Sequence, residues 1–173
     1  MEIKDRELHR IVTTTIIYKK AGNSFIYLIT KRSPHKKVHP NKWTVPGGGL
    51  EVDDYINLPP STKGAPQWYG ALNNSLIREI KEEVDLKIGK PELLVDITFI
   101  RPDGVPVIIF SYFAKYISGK VKLDDDAVDF KWVTVKEAKK YDLIDGIWGE
   151  IRDVEKIIKS RTPKDGIVRH VNQ

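Results

Sequence analysis

Polar and apolar positions along the chain change period several times, and each change marks an element. From Arg10 to Tyr18 the β-branched series IVTTTII predicts a strand, and Phe25 to Lys31 (FIYLITK) predicts its hairpin partner across a turn at Ala21 to Ser24. Residues 33–49, SPHKKVHPNKWTVPGGG, hold three prolines and three consecutive glycines and read as loop, with Trp43 to Val45 as a short strand. A second loop, roughly Asp53 to Pro66, carries Pro59, Pro60, Gly64 and Pro66. Leu72, Leu76, Ile80 and Val84 then recur every four residues, an apolar stripe that predicts a helix from about Trp68 to Val84. Leu93 to Ile100 and Val105 to Ile117 read as strands joined by a turn at Pro102 to Gly104, and Phe130 to Val135 as another. Ile144, Ile147, Trp148, Ile151, Val154 and Ile158 return to helical spacing, predicting a carboxy-terminal amphipathic helix over 145–160. This order predicts an α/β sandwich, a mixed sheet between helices, in one domain spanning residues 1–173.

Composition narrows the picture. The chain has 173 residues, 40% of them hydrophobic and 31% charged, which is ordinary for a globular domain with a core that needs no metal or crosslink. Cysteine is absent, so disulfides, thiolate metal sites and a cysteine nucleophile are excluded. The first ten residues, MEIKDRELHR, lack the apolar core of a secretory signal, and no apolar run approaches the roughly 18 residues of a membrane span. A soluble, cytoplasmic protein without membrane contact is expected. The net charge of +5 favours anionic ligands. It is spread along the chain rather than interleaved with aromatics, so sequence-specific nucleic-acid binding is not expected.

The predicted helix carries the candidate chemistry. In Arg78-Glu79-Ile80-Lys81-Glu82-Glu83, the carboxylates Glu79, Glu82 and Glu83 share one face about a quarter turn from the apolar stripe. They repel by about 1 kcal/mol per pair at solvent-like dielectric unless a cation neutralises them. Oxygen donors without histidine or cysteine favour Mg²⁺ or Mn²⁺ over zinc. The plainer reading is a solvated face with Arg78 and Glu82 as an i,i+4 pair. Upstream, PGGGLE at 46–51 offers bare backbone that could approach a phosphate or present a carbonyl to a metal, or serve only as a turn.

Together these segments resemble the Nudix hydrolases, whose signature is G-x5-E-x7-R-E-U-x-E-E-x-G-U with U a bulky apolar residue. Gly48 matches the first glycine, Arg78 to Glu83 match REUxEE in full, and Leu86 fits the last U. Asp54 stands in place of the first glutamate and Asp85 in place of the last glycine. Asp54 and Arg78 are separated by 23 residues instead of seven (78 − 54 − 1 = 23), an insertion of 16 that places an extra loop at about 55–70. The approach HPNKWTVPGGGLE and the later DAVDFKW also look like parts of this family. Isopentenyl diphosphate isomerases share the fold but use a cysteine that this chain lacks.

The resemblance implies a Nudix-type α/β/α sandwich and a metal-dependent pyrophosphohydrolase acting on a nucleoside diphosphate linked to another moiety. It implies Glu79, Glu82, Glu83 and the Gly47 carbonyl as Mg²⁺ or Mn²⁺ ligands, Glu79 also as a group that activates water, and Arg78 as the residue orienting Glu79 or its neighbours. A further acidic ligand or base is expected at Asp126, with Asp124, Asp125 and Asp129 as competitors. Among basic residues near the loops, Lys31, Arg32, Lys36, Lys37 and Lys42, Arg32 is the best placed for leaving phosphates and Lys42 a second candidate. Trp43 and Trp132 are expected in the core. Trp68 and Tyr69 either stack a base or pack the insertion down. The histidines at 9, 35, 39 and 170 show no metal spacing. The partner is expected to be a small nucleotide or nucleotide derivative, with a homodimer left open. The alternative is a Nudix-fold binding module without catalysis, which the intact REIKEE disfavours.

Overall fold

A computed structural model describes residues 8–161; the first seven residues and His170 lie outside it. The strands are β1 Arg10–Ala21, β2 Ser24–Arg32, β3 Trp43–Thr44, β4 Gly47–Gly49, β5 Lys87–Ile88, β6 Glu92–Ile100, β7 Pro106–Ser118 and β8 Ala127–Val133; the helices are α1 Ala71–Val84, α2 Val135–Ala138 and α3 Ile147–Arg161. The sheet is mixed. β1 runs parallel to β7 and antiparallel to β2 and β4, while β6 flanks β7 and β8 flanks β2, both antiparallel.

Period-two alternation sorts the strand residues into two cores. Ile16, Tyr27, Ile29, Phe113 and Val133 face α3, where Ile147, Ile151, Val154 and Ile158 cover them. Their neighbours Ile17, Leu28, Tyr112 and Ala114 point the other way, onto Leu76, Ile80 and Val84 of α1. This is the expected sandwich. Trp43 is 8% exposed in the first core, and Trp132 packs edge-on against Tyr116 beside the second. No described helix is long and apolar enough to cross a membrane.

Several elements differ from the sequence expectation. The glycine run is a strand rather than a loop: Gly49, Gly48 and Gly47 pair with Val12, Thr13 and Thr14 of β1. At Gly47 φ is +150°, and a Cβ there would collide with the Thr13 carbonyl, so the pairing depends on glycine. Helix α1 begins at Ala71 rather than Trp68, because Gly70 takes left-handed geometry at φ +81°. Strand β8 ends at Val133, where Thr134 and Glu137 form a reciprocal capping box that starts α2. Where α1 ends, Asp85 adopts the left-handed geometry expected of the glycine it replaces, at φ 52°. Its carboxylate pairs with Lys81.

Candidate active site

The glycine strand and the charged face of α1 meet along one side of a cleft of about 980 Å³. The apolar stripe of α1 seats the helix on the sheet, and that contact fixes where its flanking carboxylates project. Glu79, with its side chain 13% exposed, lies directly over Gly48, where any Cβ would overlap its carboxylate. Glu83 accepts the Gly47 N–H at 2.9 Å. Glu82 is more exposed and turns to Arg78. Bare backbone on β4 thus lets two carboxylates of α1 approach the sheet closely.

Arg78 is the hub of this face. Its Nε and Nη2 donate to the two oxygens of Asp54 at 2.6 and 3.1 Å, and Nη2 also donates to the Gly49 carbonyl at 3.0 Å. Its Nη1 donates to Glu79 at 3.0 Å and to Glu82 at 2.9 Å. The hydrogen bond from Arg78 holds the Asp54 carboxyl below its ordinary range. Asp54 in turn accepts the Glu51 N–H at 2.8 Å. The orienting arginine read from the sequence is therefore oriented itself.

Burial raises the Glu79 carboxyl, with the Arg78 charge opposing it. Burial also pushes Glu83 up to about 8; the Gly47 hydrogen bond works against this, while the charges of Glu79, Asp124 and Asp126 add to it. Asp124 and Asp126 line the same cleft and add carboxylate oxygens to it. Asp126 pairs with Lys36 at 2.5 Å, and its backbone N–H donates to Asp124 at 3.0 Å. Among the described residues no three of these side chains converge on one metal-sized point. His35 and His39 also line the cleft, but the crowded donors on α1 and at Asp124 and Asp126 are carboxylates, which fit a hard divalent cation.

Arg32, Lys36, Lys37 and Lys42 line the same cleft. Arg32 is held by its Nε hydrogen bond to the Val38 carbonyl at 3.1 Å and is exposed to the charges of Glu83 and Asp126. Lys42 pairs with Asp142 at 2.5 Å. Trp68 is not among the residues lining this cleft. Its ring lies 5.5 Å from that of Tyr55, and its indole N–H donates to the Leu58 carbonyl at 2.8 Å. Both contacts close the inserted loop on itself, the other reading that the sequence allowed.

The opposite half of the cleft was not foreseen. Val12, Ile97, Phe99 and Ile109 present an apolar floor from β1, β6 and β7, with Arg10 and Arg101 at its edges. Glu150 of α3 reaches into this half and accepts the Ser111 hydroxyl of β7. The one available signal was an acid lying between Ile147 and Ile151, two core positions of α3.

A glycine strand set against a carboxylate-bearing helix, in an α/β/α sandwich with basic residues across the cleft, is the arrangement that the resemblance to a class of phosphoanhydride hydrolases implied. The family model described as the NUDIX domain matches residues 8–151, and the chain belongs to that family. It is similar to the nucleoside triphosphatase NudI of Klebsiella pneumoniae (strain 342), with 25% identity over 135 residues covering 75% of this chain and 87% of that protein. The protein of the same name from Escherichia coli (strain K12) is also 25% identical, over 143 residues, with the same coverage. Among solved structures, the MutT protein from Methanosarcina mazei Go1 superposes with a TM-score of 0.65 at 18% identity, covering 90% of this chain and 99% of that one. The NUDIX domain of Shewanella oneidensis NrtR, solved with ADP ribose, gives 0.68 at 14% identity, covering 91% and 94%. These two likenesses establish the fold.

Proposed function

We propose that this chain is a magnesium- or manganese-dependent pyrophosphohydrolase that releases a monophosphate from a nucleoside triphosphate or related nucleotide diphosphate derivative, acting as a single cytoplasmic domain. The observation that carries the reading is the packing of Glu79 and Glu83 against the glycine strand, with Arg32 and Lys36 facing them in a cleft large enough for a nucleotide. The resemblance to two nucleoside triphosphatases favours triphosphates as the first substrates to try.

Glu79, Glu82, Glu83 and the Gly47 carbonyl would hold the cation, with Asp126 or Asp124 adding a ligand from the facing loop. When bound, the cation supplies charge stabilisation at the phosphoryl oxygens and acidifies a bound water. The chain's own groups do the remaining work. Arg32 and Lys36 bind the non-bridging oxygens and offset the charge that grows on them in the transition state. Glu79, its affinity for protons raised by burial, takes the proton of the attacking water. Arg78 fixes the rotamer of Glu79 and, through Glu82, the edge of the acidic face. Water attacks phosphorus in line, the phosphoanhydride oxygen leaves, and the cleft walls hold both fragments until release.

The test is a substrate panel of nucleoside triphosphates, dinucleoside polyphosphates and ADP-ribose, assayed for phosphate or monophosphate release with and without MgCl₂ or MnCl₂. Cation-dependent turnover of at least one triphosphate is expected and should be abolished by chelator. Stoichiometric binding with no turnover under any cation would instead favour a non-catalytic binding module.

A further inference from the structure

The half of the cleft away from the carboxylate helix holds a charged group that the hydrolytic chemistry does not use. Glu150 projects from the first turn of α3 across to the sheet, and one of its oxygens accepts the hydroxyl of Ser111, a residue with no exposed surface. Among the described residues it has no ion pair. Burial raises its carboxyl, and the Ser111 hydrogen bond only partly opposes this. A partly desolvated carboxylate with spare acceptor capacity, at the end of an apolar slot, is costly unless a ligand supplies donors.

The slot has an apolar floor. Val12, Ile109, Ile97 and Phe99 lie on the same sheet face as Ser111, because Val12 pairs with Ile109, and Ile109 with Ile97, in adjacent strands. The two halves belong to one cleft, with the Arg10 guanidinium lying over Gly49 between them. A nucleotide whose phosphates lie at Glu79 and Arg32 would place its base here, and its polar edge would meet Glu150.

The geometry points to Glu150, oriented by Ser111, as the residue that selects the base, and to a guanine nucleotide as the substrate class. This rests on the nucleotide-hydrolase reading above. A carboxylate offers only acceptors. Of the four common bases, guanine alone presents two adjacent donors, its ring N1–H and exocyclic amino group. Adenine and cytosine set an acceptor beside their amino group, which would face the carboxylate repulsively. Uracil offers a single N–H between two carbonyls. Ser111 occupies one lone pair of one carboxylate oxygen, which leaves both oxygens able to accept. A site built around such a pair discriminates strongly against a ligand lacking the donor.

The experiment compares GTP, ITP, which lacks the exocyclic amino group, and ATP as substrates, and GMP, IMP and AMP as ligands in calorimetric titrations. The intact enzyme is expected to favour GTP over ITP by about tenfold or more in kcat/KM, expressed mainly in KM, and to reject ATP more strongly. Glu150→Gln keeps the side-chain shape and should collapse the GTP to ITP ratio to within about threefold, with GMP and IMP binding converging in parallel. Ser111→Ala should narrow the same ratio, and serves if Glu150→Gln does not fold. Equal use of GTP and ITP by the intact enzyme, or an unchanged ratio in both variants, overturns the assignment. If no triphosphate is hydrolysed, the monophosphate titrations still decide: tighter GMP than IMP binding that Glu150→Gln removes supports it, and equal binding overturns it.

Discussion

Asp54 grips Arg78 through two hydrogen bonds, at 2.6 and 3.1 Å, across 24 positions of sequence, most of them in the inserted loop. The Asp54 side chain is only 2% exposed, so its charge depends on that partner. Removing the Asp54 charge leaves the partly buried Nε and Nη2 of Arg78 without their charged acceptor, while Nη1 keeps Glu79 and Glu82. Asp54→Asn should therefore lower unfolding free energy by about 2 to 3 kcal/mol in urea titrations. Turnover should fall as well, because Arg78 also holds Glu79 and Glu82. The folded carboxyl titrates below its ordinary value of 3.8. Its stabilisation is thus complete above that pH and lost as pH falls through the folded value, so the difference between wild type and variant should shrink only in strong acid.

The acidic face of α1 predicts a different outcome for its own residues. Glu82→Gln and Glu83→Gln should each reduce cation-dependent turnover by about a hundredfold or more, while circular dichroism stays native. Glu83→Gln should leave the cation-free protein at least as resistant to heat as the wild type, since the amide oxygen can still accept the Gly47 N–H and the charged form it eliminates is already disfavoured by burial and by Glu79, Asp124 and Asp126. Near-native turnover in both variants at limiting cation would remove them from the proposed ligand set.

Gly48 gives a test aimed at one contact. An alanine methyl would occupy the place of the Glu79 carboxylate, which is the far end of a flexible side chain and can move. Gly48→Ala should consequently lower kcat with little change in melting temperature. The companion substitution Gly47→Ala should destabilise the fold, because there the collision is with the backbone of Thr13 at positive φ.

The inserted loop is expected to contribute stability rather than selectivity. Trp68→Ala removes the contact with Tyr55 and the hydrogen bond to Leu58, so limited proteolysis within 56–66 should accelerate. KM values across the nucleotide panel should stay within about twofold, since none of these groups lines the cleft and independent sites do not couple. A rise in KM for one nucleotide alone would return the loop to substrate selection.

The sequence by itself determined the sandwich and the helix that carries the acids. Alternation at Ile16 and Ile17, or at Leu28 and Ile29, assigns side chains to opposite sheet faces, and the four-residue spacing from Leu72 to Val84 orients the helix, because these signals are local and periodic. Arg78, Glu79, Glu82 and Glu83 were legible for the same reason: a helix places residues three and four apart on neighbouring positions. What could not be read were the relationships formed by contact across the fold. The strand formed by Gly47 to Gly49 exists because β1 supplies its hydrogen-bond partners, and propensity alone assigns three glycines to a loop. Trp68 was compatible with a base or with its own loop, and only the folding back of residues 55–70 shows its contacts with Tyr55 and Leu58. Glu150 and Ser111, 39 positions apart, meet because α3 packs across β7, and no local pattern encodes which polar side chains a packed interface leaves facing a cavity.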